Sequence, residues 1–158
     1  MHDQYFYAVA CHEAGHAVVQ AGVGMEVTEV RMLQIGTLRP GGSSSAGTGF
    51  DEVYEISDYL ASIMAGDIAV EETCGSYRLP VDDGPRSDQA EIRRVTSATP
   101  ADLVRAQRTA RALIQIHRQR IIALAKALLD VPPIEGVRSL TGLELDEFLA
   151  PVRAYTPP

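Results

Sequence analysis

His12-Glu13-Ala14-Gly15-His16 is the stretch on which the reading of this chain turns. In a helix, residues four apart share a face, so the imidazoles of His12 and His16 can meet one cation. Glu13 projects about a hundred degrees further round, too far to be an easy third ligand but within reach of a water beside the ion. Two nitrogen ligands, a carboxylate base and an open position suit a zinc ion used for chemistry. The flanking residues predict the helix itself. Phe6, Val9, Ala10, Ala14, Ala17, Val18 and Ala21 recur at three- and four-residue spacings, with Asp3 as a start signal and Gly22 and Gly24 as stops. The two histidines then sit at the border of the apolar stripe.

The rest of the chain frames that helix. Glu26 to Ile35 alternates as a strand, read as a short hairpin or edge, and Gly36 to Gly49 reads as a flexible loop, either a plain connector or a flap beside a cleft. Helical period returns at Glu52 to Cys74, with Ile56, Leu60, Ile63, Met64 and Ile68 as its stripe and Gly75 as its stop. A short helix is predicted at Asp88 to Ser97, a long one at Ala101 to Asp130, and a last one at Leu143 to Pro151 with Thr141 as cap. Residues 1–2 and 155–158 are expected to fray. The fold expected is mainly α with a small β-hairpin or short sheet next to the metal helix, in a single domain over 1–158.

Composition narrows the partners. The 158 residues carry 14 Lys plus Arg against 21 Asp plus Glu, a net charge of -7, which argues against nucleic acid and anionic membrane as partners. No segment reaches the roughly 20 apolar residues that span a bilayer, and no secretory signal is visible, so a cytoplasmic location is expected. Cys11 and Cys74 fit free thiols better than a disulfide framework. Cys11 faces about a hundred degrees away from His12 and is a poor ligand for the same ion.

A catalytic zinc usually takes three protein ligands, so one must come from further along the chain. His2 lies at the chain end and His117 on the apolar face of the long helix, where a core or interfacial role is expected. The candidates are therefore Glu71, Glu72, Asp82, Asp83 and Asp88. Asp88 with Glu91 three residues on also has the form of a capping box, which needs no metal.

The order of motifs resembles a known family. His12-Glu-Ala-Gly-His-Ala17, then Gly66-Asp-Ile-Ala-Val-Glu71 ending at Gly75, then Gly84-Pro-Arg-Ser-Asp88-Gln-Ala90, are similar to the peptidase domain of FtsH-type ATP-dependent zinc proteases. The resemblance extends from about Tyr7 to Leu149 and includes the helix around His117-Arg118. It implies a zinc metalloendopeptidase with His12, His16 and Asp88 as metal ligands and Glu13 as the catalytic residue, Glu71 being the rival ligand or an outer partner of a histidine. It implies that the strand within Glu26 to Ile35 can pair with an extended substrate segment, that an unfolded protein or peptide is the substrate, and that homo-oligomers form. The chain departs from the family at Val70-Glu71 and at Gly-Pro-Arg-Ser-Asp. It also holds no Gly-x-x-x-x-Gly-Lys nucleotide loop. Unfolding is then expected from a separate AAA ATPase chain. The competing expectation is a catalytically silent, zinc-stabilised scaffold in which Glu13 has no task.

Overall fold

The computed structural model describes residues 4–35, 39–45, 54–81, 84 and 87–155, with the backbone alone at 34–35 and 39–45. The order of elements is α1 (Gln4–Gly22), β1 (Glu29–Ile35), β2 (Arg39–Ser45), α2 (Ile56–Thr73), α3 (Asp88–Arg94), α4 (Pro100–Ile116), α5 (Arg118–Asp130), β3 (Val137–Thr141) and α6 (Gly142–Arg153). The protein is thus mainly helical with one small antiparallel sheet, as the residue pattern predicts.

The architecture is built around α1, which touches α2, α4, α5, α6, β1 and β2. A helix enclosed this way buries almost its whole circumference, not a stripe: Ala8 to Cys11 and Glu13 to Ala21 are all buried. Its small residues permit that enclosure. At Gly15 an added Cβ would stand 2.4 Å from Ala69 Cβ and 2.9 Å from the Ala65 carbonyl oxygen, so α1 and α2 meet backbone against backbone. Gly24 (φ +83°) and Gly75 (φ +63°) end α1 and α2 in the left-handed region, where glycine is least strained.

Four expectations need correction. First, β1 pairs antiparallel with β2, in keeping with the hairpin expected, but it is the central strand of a sheet ordered β2-β1-β3, not an edge. Second, Arg39 to Ser45 is a strand and not a loop, paired with β1 from Glu29↔Ser45 to Ile35↔Arg39. Its Pro-Gly-Gly-Ser chemistry disfavours a strand, yet pairing partners outweigh propensity, and an edge strand tolerates Pro40. The rest of the expected loop, 36–38 and 46–49, lies outside the described residues, as do residues 1–2, Asp82, Asp83 and 156–158. Third, the long helix divides at His117 (φ -102°, ψ 17°), which lets α4 lie along α2 while α5 lies along α1. His117 is buried as expected, and Tyr155, expected to fray, packs edge-on against it with ring centroids 5.3 Å apart. Fourth, Thr141 precedes α6 without a side-chain cap bond, whereas Thr99 and Asp102 form an unforeseen capping box at α4.

The core lies between these helices and one face of the sheet, with Val18, Val19, Leu60, Ile114, Ile121, Leu124 and Leu128 among its largest buried side chains. No helix among the described residues is long and apolar enough to cross a membrane.

Candidate metal centre

Three of the four residues singled out for the site are a converging set. His12 and His16 stand one turn apart on α1, their ring centroids 4.6 Å apart and nearly perpendicular. The Nε2 atoms are 3.0 Å from one another. Asp88, the first residue of α3, brings its Oδ2 to 3.1 Å from each of them. A zinc ion at about 2.0–2.2 Å from tetrahedral N and O ligands would space those ligand atoms about 3.3 Å apart, so the triangle fits the ion to within a few tenths of an ångström.

The donors and acceptors sharpen that fit. His16 Nδ1 lies 2.7 Å from the Ser62 carbonyl oxygen on α2. A carbonyl only accepts, so Nδ1 carries the proton and the neutral ring aims a lone pair from Nε2 at its neighbours. Those neighbours are a second imidazole nitrogen and a carboxylate oxygen, both acceptors when His12 is also protonated on Nδ1. A cluster of three acceptors is stabilised by a cation. With no ion present a proton takes that place: burial opposes charge on both rings, but the neighbouring Asp67 and Asp88 carboxylates lift His12 to about 10, and the charge of Asp88 raises His16. Burial would raise the Asp88 carboxyl, yet the two rings outweigh it and hold it well below the usual carboxylate range.

Two local features position this triangle. The His12 ring rests on Gly66 of α2, where a Cβ would lie 2.4–2.5 Å from three ring atoms. Asp88 is free to face the rings because Ser87 caps α3, its Oγ accepting from the Ala90 N–H at 3.2 Å. The Asp88–Glu91 capping box is therefore corrected: the cap sits one residue earlier. Glu91 instead accepts from the Tyr59 hydroxyl at 2.7 Å and from Arg94, which ties α3 to α2.

Glu13 is buried at 2% exposure, yet it lines a cleft of about 600 Å³ together with His12, Asp88, Leu79, Pro80 and Val81. Its Oε2 has no hydrogen-bond partner among the described residues. Burial raises its pKa above the ordinary glutamate value, against the opposing charges of His12 and His16. The rival ligands are engaged elsewhere: Glu71 and Glu72 both pair with Arg111, at 3.0 and 2.6 Å. Asp88→Ala is accordingly expected to lose zinc during gel filtration, and Glu71→Ala to retain one ion per chain by elemental analysis. Full retention in the Asp88 variant would remove it from the ligand set.

The α2 residues that stand beside the two Nδ1 atoms, Ser62 and Asp67, left no mark that reading the chain alone detects. Each lies about fifty residues from its histidine, and the relation exists only once α1 packs on α2. Compared with known proteins, the chain matches no family model and no curated protein.

Proposed function

We propose that this protein is a zinc metalloendopeptidase resembling the FtsH-type peptidase domain, cutting unfolded or extended protein segments. The observation that carries this is Glu13, a buried carboxylate in a cleft beside three convergent ligand atoms, its Oε2 without a hydrogen-bond partner among the described residues. Burying a carboxylate oxygen without a partner costs stability, and folded proteins keep that cost chiefly where chemistry uses the group. His12, His16 and Asp88 would hold the ion. Bound zinc supplies Lewis acidity, acidifying water toward neutral pH and drawing charge from the scissile carbonyl. Glu13, made more basic by burial, accepts the proton from the attacking water and returns it to the departing amine.

Substrate pairing moves from β1 to its neighbour. β2 pairs with β1 along its whole length and β3 along Glu29 to Leu33, so an extended segment would add to the outer edge of β2, which also packs against α1. Only an unfolded segment can add as a strand, so folded substrates would need delivery, and a separate ATPase chain in the cytoplasm is part of the same proposal. A second reading has one observation in its favour: an ion held by α1 and α3 would also fasten those helices together, with no turnover required.

Cleavage of casein, an unfolded protein, separates the two. The zinc-loaded chain is expected to cut it, to stop on addition of a chelator, to recover with zinc, and to spare tightly folded proteins. A loaded chain that cuts neither substrate would leave only the fastening role.

A further inference from the structure

We infer that Asp67 is a positioning residue, whose carboxylate accepts a hydrogen bond from His12 Nδ1 and so fixes the ring with Nε2 turned to the ion. This rests on the reading of His12, His16 and Asp88 as a metal site.

Both histidines are backed by the same helix. The Ser62 carbonyl oxygen orients His16 from α2. Further along α2, Asp67 follows directly on Gly66, the residue against which the His12 ring lies flat. Asp67 Oδ1 is 3.5 Å from His12 Nδ1. That nitrogen is buried and has no hydrogen bond of good geometry among the described residues, so the contact is the one that can satisfy it. A carboxylate only accepts, which selects the tautomer with hydrogen on Nδ1 and leaves the Nε2 lone pair for the metal. The arrangement is a carboxylate–histidine–metal relay of the kind that raises ligand basicity. The Asp67 side chain is 64% exposed, so it contributes little to the core, and its truncation should leave the fold intact.

The test compares the parent with Asp67→Ala and Asp67→Asn. Zinc affinity is measured by competition with a chromogenic chelator, and the metal-free proteins are melted in parallel. Asp67→Ala should bind zinc about 10- to 100-fold more weakly. Asp67→Asn, which keeps an accepting oxygen without charge, should fall between, and the three metal-free melting midpoints should differ far less than the affinities do, since Asp67 is largely exposed. A purely structural role would move the melts and spare the intermediate rank of the Asn variant. Parent-like zinc affinity in Asp67→Ala overturns the inference while the metal site stands. A parent that binds no zinc overturns both.

Discussion

Glu13→Gln should lower kcat by about 10²- to 10⁴-fold while zinc stoichiometry and fold are kept. The amide has the shape of the carboxylate but cannot accept the proton of an attacking water, and Glu13 is not needed to hold the ion. The same substitution carries a second signature. Burial raises the Glu13 carboxyl in the folded chain, so the native state keeps its proton to higher pH than the unfolded chain does. Folding therefore becomes less favourable as pH rises through the interval from the unfolded value, about 4.3, to the raised folded one. A glutamine side chain at this position removes that loss. The metal-free variant should melt at or above the parent near neutral pH, and the advantage should shrink on acidification. Steady-state cleavage with metal analysis, and melting curves across that range, read both. A Glu13→Gln variant that cleaves as fast as the parent would take Glu13 out of the chemistry.

Gly66→Ala should abolish tight zinc binding, weakening it by at least roughly 100-fold, the upper end of what outer contacts contribute. A Cβ there would lie 2.4 Å from His12 Cε1 and 2.5 Å from both ring nitrogens. Relief by separating the helices would open the close packing at Gly15, where α1 meets the α2 backbone at Ala65 and the side chain of Ala69. The ring must therefore rotate away, and its Nε2 leaves the triangle. Overpacking of this kind also costs about 1–3 kcal/mol of stability. Zinc titration and thermal unfolding of the variant measure the two effects. Unchanged affinity would show that His12 has room the packing denies.

The site was legible where it is local. His12 and His16 are brought together by one helical turn, and a five-residue motif with apolar period around it suffices to say so. Asp88 lies 72 residues beyond His16, and only the order of motifs pointed to it; its own neighbourhood suggested a cap, because Ser87 and Asp88 are both capping residue types and adjacent. Much of the helical core was legible too, since Leu60, Ile63, Ile114, Ile121 and Leu124 keep helical period. That same period runs unbroken through His117, which is why the break between α4 and α5 left no trace. The sheet was the harder part. Arg39-Pro-Gly-Gly-Ser has turn chemistry and becomes a strand only through β1, and of the five residues of β3 only Leu140 is buried, so it lacks the alternation that marks a strand. The full enclosure of α1 was hidden for a related reason: Glu13, His16 and Gln20 are polar, and polar residues on a helix ordinarily mark its wet side.

The smallest helix in the molecule carries the most consequential carboxylate. α3 has seven residues and none of them is buried; it is held by the Ser87 cap, the Tyr59–Glu91 bond and the half-buried Ile92 against the core. An isolated helix this short does not persist in water. An ion at His12, His16 and Asp88 would add a second anchor beside Ile92, so that occupancy and the order of this short helix would rise and fall together. Affinity would then be tuned by whatever steadies or loosens a few surface residues, without touching either imidazole.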